Sequence, residues 1–330
     1  MHLVMPNAPV TGVIHATSLC MKGKSASFVR HVEIDITGTP LEGSFRAGQS
    51  FGVIPSGTDR NGKPHKVRLY SLASPSWGED GFGRIIATTP KRAIAEREAQ
   101  RPTDDPNDHS LFLGVCSNWL CDRNAGDAVD LSGPNGKRFL LPVDTSKHEY
   151  LFLATGTGIA PFRGFLMELL VGPPAGSPAS ANWKRCESPI HLVMGTPYTS
   201  DLLYDGWLRE LASAHPNFHY HIAVSRERNA EAGPNIGSAA TRGEYVHHYL
   251  DRQLLANSPL THLVRSPRTL VYVCGLAGMQ LGVFELFARH GITGYTKIGP
   301  ELADKPVPEW TTEDLKRRVR PTHRCMLEVY

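Results

Sequence analysis

The sequence predicts an antiparallel β-barrel followed by a doubly wound parallel α/β sheet, joined near residue 147. Three observations carry this expectation. A chain of 330 residues is longer than one hydrophobic core usually grows, and hydrophobic residues at 41% are enough to fill two. Short alternating runs dominate the first part, whereas continuous apolar runs separated by helical periods dominate the second. The polar, proline-containing segment Leu141–Lys147 interrupts both patterns.

Over residues 1–146, the segments Ser27–Ile34, Arg84–Thr88 and Asp127–Leu131 read as strands separated by Gly, Pro and Asn clusters, as in a barrel or sandwich. Over residues 147–330, the unbroken apolar run Tyr150–Ala154 ends in glycines, and Pro161–Leu170 follows with helical spacing. Further strands are expected at Ile190–Met194, Phe218–Val224 and Thr269–Cys274, with helices near 201–214, 243–256 and 278–290. Strands alternating with helices imply a Rossmann-like parallel sheet. Stretches 54–66, 172–181 and 229–243 read as surface loops.

A net charge of +3 is far from the dense cationic stripe of a nucleic-acid binder. No apolar run approaches the ~20 residues that span a bilayer, and Met1–Pro6 has no signal-peptide character, so a soluble cytoplasmic chain is expected. Six scattered cysteines argue against a disulfide framework. Cys116 and Cys121 have the spacing that opens an iron–sulfur signature, but Asn124 stands where the next ligand would fall; no cluster or other metal site is expected.

Several short motifs carry chemistry. Arg68-Leu69-Tyr70-Ser71 offers a cation, a flat ring and a hydroxyl on one strand, with Arg68 and Tyr70 on the same face. A flavin needs that set: donors for its pyrophosphate, a flat partner for its ring and a donor near N5. In isolation the four residues are an ordinary strand with a surface arginine and a core tyrosine. Gly156 and Gly158 stand where a strand turns into a helix, so backbone can approach a phosphate there, and the absence of a Lys-Ser/Thr pair excludes a Walker loop. Ser225 and Arg226 close a strand with the hydroxyl and planar cation that suit a phosphomonoester, although a surface arginine is the commoner reading. Cys274 lies at a strand end, where doubly wound sheets bind ligands; a small core residue is the alternative. Cys325–Tyr330 alternates like a strand up to the last residue.

In their order, Arg68–Ser71, Leu153–Arg163, Val273–Met279 and Glu328–Tyr330 resemble the plant-type ferredoxin–NADP(+) reductase family through most of the chain. The resemblance implies a β-barrel FAD-binding domain followed by an α/β doubly wound NADP-binding domain. It implies an oxidoreductase that moves electrons between NADP(H) and a one-electron carrier, an acidic ferredoxin or flavodoxin, by hydride transfer at flavin N5. Arg68 would bind the FAD pyrophosphate, Tyr70 would pack on the flavin beside Leu69, and Ser71 would hydrogen-bond near N5. Val115, Cys116 and Ser117 match the segment that faces the pyrophosphate, Ser117 also reading as a helix N-cap. Lys91 matches a lysine that reaches nucleotide phosphates. Gly156, Thr157, Gly158 and Pro161 match the nicotinamide-nucleotide loop. Ser225 and Arg226 match a 2′-phosphate clamp and Tyr245 an adenine-packing tyrosine, while Arg242 is offset by one from the family's lysine and His247 replaces a glutamine. Cys274, with Gly275 and Leu276, would border the nicotinamide. Tyr330 would cover the flavin and move aside as a gate, and Glu328 would relay protons near Ser71.

Ala95 stands where relatives carry an aromatic that stacks on the FAD adenine, which leaves FMN open at this stage. An alternative function keeps the core and makes the chain an NADPH-dependent reductase component feeding an oxygenase. A non-catalytic nucleotide sensor is opposed by the joint presence of Ser71, Cys274, Glu328 and Tyr330. Lys22, Lys24, Lys316, Arg317, Arg318 and Arg320 are candidates for a basic carrier-docking face.

Overall fold

The computed structural model describes residues 3–21, 23, 25, 27–59, 61–96, 110–227 and 243–330. The first half contains β1 (Val10–Leu19), β2 (Arg30–Asp35), β3 (Ser50–Ile54), β4 (Arg68–Ser71), β5 (Ile85–Thr88), β6 (Ile94–Glu96), β7 (Leu111–Leu113), helix α1 (Val115–Cys121) and β8 (Ala128–Asn135). Six of these strands form an antiparallel sheet in the order β4-β3-β8-β1-β2-β5. The sheet curls until its edges meet: Ala73 N donates to Ala87 O at 2.8 Å and Thr88 Oγ1 to Ser71 O at 2.8 Å. Alternation fills the inside, as where Val32 and Ile34 of β2 pack with Phe51, Val53 and Leu131. β6 and β7 stand apart as a two-stranded ribbon.

The second half contains β9 (Glu149–Thr155), α2 (Ala160–Leu166), β10 (Ile190–Thr196), α3 (Asp205–Ala214), β11 (Phe218–Val224), α4 (Val246–Leu255), α5 (Pro259–Arg265), β12 (Thr269–Gly275), α6 (Met279–Arg289), β13 (Thr296–Ile298), α7 (Thr312–Arg318), β14 (Val319–Pro321) and β15 (Cys325–Val329). Its five-stranded sheet has the order β11-β10-β9-β12-β15, and each neighbouring pair is parallel. Hydrophobic clusters cover both faces, so β10 and β12 are buried along their whole length. This two-sided burial is why such strands read as continuous apolar runs. The strand order reverses at β9, which opens a crevice at the C-terminal ends of β9 and β12.

The helix expected over Pro161–Leu170 is shorter than its periodicity suggests. α2 ends at Leu166 and passes into a π turn over Met167–Val171 before Gly172 at φ 82°. Helices α5 and α7 and the β13–β14 pair were not anticipated.

The two sheets are clasped by specific contacts. Arg163 of α2 donates to both Glu79 carboxylate oxygens, at 2.6 and 2.9 Å, and to Ala73 O at 2.9 Å. A side chain on Gly164 would strike Ser74 O, so α2 rests directly on barrel backbone. Glu168 accepts from Ser76 N at 2.6 Å. Among the described residues no helix is long and apolar enough to cross a membrane.

Candidate active site at the junction of the two sheets

The candidate site is assembled from the ends of β4, β9, β12 and β15 and the start of α1. On β4, Arg68 and Leu69 are exposed while Tyr70 and Ser71 are half-buried. The Tyr70 hydroxyl and the Cys116 thiol are close enough to act on each other, and the Arg68 charge acts on both groups. Burial is the largest influence on each and pushes both pKa values up.

α1 begins after Gly114, the residue in the cap position. This corrects the N-cap reading of Ser117. Gly114 N donates to Ala93 O at 2.8 Å and starts the helix there, which leaves Ser117 in the third helical position with its Oγ accepting from Ala93 N at 3.3 Å. The first-turn amides of Val115, Cys116 and Ser117 have no acceptor within the helix and suit an anion. Cys116 is buried, and Val115 is exposed.

At the crevice, Thr155 Oγ1 accepts from Leu276 N at 3.0 Å, and a side chain on Gly275, at φ 141°, would strike Thr155. The two loop glycines differ. Gly156, at φ 53°, faces open space, whereas a Cβ on Gly158 would strike the Cys274 carbonyl. Only Gly156 therefore leaves room for a phosphate; Gly158 lets the loop pack against β12. Pro161 is buried in the first turn of α2, where its fixed φ suits a helix start.

Ser71 and Cys274 come together across the junction, close enough for the Ser71 hydroxyl to act on the Cys274 thiol. Cys274 is fully buried. Burial, reinforced by the Glu328 carboxylate and opposed by the Ser71 hydroxyl, pushes its thiol well above the ordinary value. The thiol is thus neutral near pH 7 and unsuited to nucleophilic attack. Glu328 stands beside Cys274 in the parallel register, and burial raises its carboxyl pKa. The terminal residue is well anchored. Tyr330 N donates to Gly275 O at 3.0 Å, Tyr330 O accepts from Ala277 N at 2.8 Å, and the phenol hydroxyl lies 2.6 Å from Thr157 Oγ1.

Lys91 is exposed, two residues beyond Thr89, whose hydroxyl donates to Thr157 O at 3.4 Å. At the end of β11, Ser225 N and Arg226 N donate to Thr196 O and Pro197 O, both at 2.9 Å, and Arg226 is exposed. A side chain on Gly243 would strike Ser225 O, so the returning chain runs against this turn. Tyr245 follows, 60% exposed, with its ring parallel to that of His247 at 5.9 Å. Burial, followed by the charge of His248, lowers the His247 pKa to about 4. Arg242 lies outside the described residues.

The expected basic face is only partly available. Arg317 pairs with Glu313 and Arg318 with Glu301, while Arg320 donates to Lys316 O at 2.6 Å. Lys22 and Lys24 lie outside the described residues. Sequence reasoning missed the structural parts played by Thr155 and Arg163, and nothing in the local sequence marks Glu79 as Arg163's partner.

The residues fit a dinucleotide flavin. The elements that build the site present exposed apolar groups, Leu69, Val115, Leu276 and Tyr330, together with the exposed Arg68 and the first-turn amides of α1. A flat ring bearing a pyrophosphate has both properties.

Residues 152–284 match the oxidoreductase NAD-binding domain. The chain is 34% identical over 334 residues to a ferredoxin–NADP reductase of Picosynechococcus sp., covering 100% of this chain and 72% of the relative. It is 32% identical to the Spirulina sp. ferredoxin–NADP reductase, covering 100% of this chain and 98% of that one. The chloroplastic leaf isozyme 1 of Arabidopsis thaliana is 33% identical, over 88% of this chain and 70% of the isozyme. A crystal structure of a Plasmodium falciparum ferredoxin–NADP+ reductase mutant in complex with 2′P-AMP shares the fold, with a TM-score of 0.68 at 19% identity and coverage of 100% and 99%. The chain belongs to the plant-type ferredoxin–NADP(+) reductase family.

Proposed function

We propose that this protein is an FAD-dependent oxidoreductase that moves electrons between NADP(H) and ferredoxin, with its reacting centre at the Ser71–Cys274 junction. The observation that carries this is the approach of the Ser71 side chain to the Cys274 thiol, one at a barrel edge and the other at the switch point of the parallel sheet. Bound FAD supplies the conversion between the two-electron chemistry of nicotinamide and the one-electron chemistry of an iron–sulfur carrier.

The chain's own residues position and screen that chemistry. Arg68 and the first-turn amides of α1 bind the pyrophosphate, and Tyr70 supports the flavin ring. Ser71 presents its hydroxyl at the ring edge. Cys274 shapes the nicotinamide berth as a neutral, buried thiol. Glu328, with its raised pKa, holds a proton close to neutrality better than an exposed glutamate and passes it at the carboxyl oxygen. Tyr330 covers the ring. Its main chain is held by two backbone bonds, so only the phenol has to swing away from Thr157.

Gly156, Thr157 and Gly158 form the turn that receives the nicotinamide nucleotide, with Pro161 setting the following helix and Gly275 and Leu276 facing it at and just after the end of β12. Ser225 and Arg226 clamp the 2′-phosphate, Tyr245 packs on its adenine, and Lys91 reaches its phosphates. We place the division between the two binding domains at residues 146 and 147. Flavodoxin is a second carrier of suitable charge, and six free thiols support a reducing, cytoplasmic setting. The names of the relatives do not favour an oxygenase-feeding reductase.

The test is direct. The purified protein is expected to be yellow and to reduce ferricyanide far faster with NADPH than with NADH. A flavin-free preparation that cannot be reconstituted would end the proposal.

A further inference from the structure

We propose that Phe112 provides the platform on which the adenine of FAD stacks, doing from β7 what Ala95 cannot do from β6. The inference rests on the FAD reading above and extends it to a subsite and a residue. In the β6–β7 ribbon, Ala95 is directly opposite Phe112, flanked by the pairs Ile94–Leu113 and Glu96–Leu111. Directly opposed residues of an antiparallel pair project to the same face. Phe112 therefore stands over the ground left open by the Ala95 methyl group.

That face leads into the flavin site. Just past the ribbon's ends, Gly114 N donates to Ala93 O at 2.8 Å and carries the pairing on to that side, where a Cβ built on Gly114 would lie 2.7 Å from Ala93 Cβ and 2.9 Å from Ser117 Oγ. The surface thus runs from the Phe112 ring over Ala95, Ala93 and Gly114 to the Ser117 hydroxyl. Among the described residues of this face, only the Ala95 and Ala93 methyl groups and Gly114 stand between the ring and that hydroxyl. Ser117 follows Cys116, whose thiol meets the Tyr70 hydroxyl, so the shelf continues the site that holds the ring and pyrophosphate.

The exposure of the ribbon calls for an occupant. Phe112 is 54% exposed, as is Ile94, with Leu111 at 61%. Among the described residues no aromatic ring is packed on Phe112, although such pairs are common elsewhere in the protein. A flat, uncharged base tethered through a phosphate matches an isolated ring beside a smooth shelf. FMN ends at its phosphate and has nothing to lay there, so Phe112 selects FAD over FMN.

The experiment is titration of apoprotein with FAD and with FMN, followed by flavin fluorescence, for the wild type, Phe112→Ala, Phe112→Trp and Phe112→Ala/Ala95→Tyr. Phe112→Ala is expected to weaken FAD roughly tenfold, within the range for loss of one stacked base, and to leave FMN within twofold. Phe112→Trp is expected to retain FAD affinity, and the double variant to recover it, because a ring returns to the same face from the opposite strand. Unchanged FAD affinity in Phe112→Ala, or equal weakening of FAD and FMN, overturns the proposal. A wild-type apoprotein that binds neither flavin overturns the cofactor reading itself, an outcome distinct from a selective failure at Phe112. Circular dichroism of each variant confirms that the fold is intact.

Discussion

The Ser71 hydroxyl stands against the Cys274 thiol although 203 positions separate them, one closing a barrel strand and the other near the end of the strand at the sheet's switch point. Both side chains can therefore border one reacting centre. Replacing Ser71 by valine keeps the size and removes the hydroxyl. Ser71→Val is expected to retain flavin and to slow hydride transfer at least tenfold, about 1.4 kcal/mol of barrier, in stopped-flow reduction by NADPH. Unchanged rates would assign the donor role to another group.

The Tyr330 phenol, which the proposed function makes the cover of the flavin, lies 2.6 Å from Thr157 Oγ1. Tyr330→Ser removes the cover while keeping the chain length. NADP+ is expected to bind at least tenfold more tightly and turnover to fall, because the nicotinamide no longer competes with the phenol for the flavin face. Difference spectroscopy gives the affinity, and equal affinity in variant and wild type would remove the gate from the mechanism.

Arg226 sits exposed at the end of β11, with its backbone pinned to Pro197. A hydrogen bond to a charged group contributes about 1.5–3 kcal/mol. Arg226→Ala is expected to lower kcat/KM for NADPH roughly ten- to hundredfold and to leave NADH almost unaffected. If both coenzymes suffer equally, the residue does not read the 2′-phosphate.

The clasp between the sheets depends on Arg163 and Glu79, whose side chains are 16% and 11% exposed. Removing one partner strands a largely buried charge, at a cost of about 3–5 kcal/mol. Arg163→Met is expected to lower the thermal midpoint and Arg163→Met/Glu79→Gln to regain much of the loss. A single variant as stable as wild type would show the pair to be dispensable.

A buried histidine ladder is expected to make the fold acid-sensitive. His191 Nδ1 lies 2.9 Å from His221 Nε2, and Tyr249 OH lies 2.8 Å from His221 Nδ1. Burial, with the charge of His219, lowers the His221 pKa from 6.5 to about 4, and burial followed by the charge of His221 lowers that of His191. Between pH 6.5 and 4, only the unfolded chain protonates His221 readily, so acidification favours unfolding and the loss is complete below the folded value. For His221 alone the penalty is on the order of 3 kcal/mol. Urea midpoints are expected to fall steeply from pH 6.5 to 4.5, and less steeply in His221→Gln. Parallel slopes would exclude this histidine as the cause.

Much of the architecture was legible in the chain. Tyr150–Ala154, Ile190–Met194 and Thr269–Cys274 were readable as parallel strands because both of their faces are covered and every position can be apolar. The order of Arg68–Ser71, Gly156–Gly158, Cys274 and Tyr330 was enough to carry the family resemblance, and with it a flavin and a nicotinamide nucleotide, since each motif is local and its residues are neighbours along one strand or turn. Short helices α5 and α7 escaped notice because seven residues hold too few turns to establish a period.

What the sequence determined by itself was the succession of strands, turns and helices and the chemical types carried at their ends. Only the tertiary structure decided that Gly158 yields space to the Cys274 carbonyl, that Arg163 grips Glu79, that Gly114 caps α1 in place of Ser117, and that Phe112 faces the same way as Ala95. The division has a physical reason. Backbone periodicity is set by residues a few positions apart, whereas these pairings arise when surfaces distant in sequence are pressed together, and a partner's identity is not encoded beside the residue that needs it.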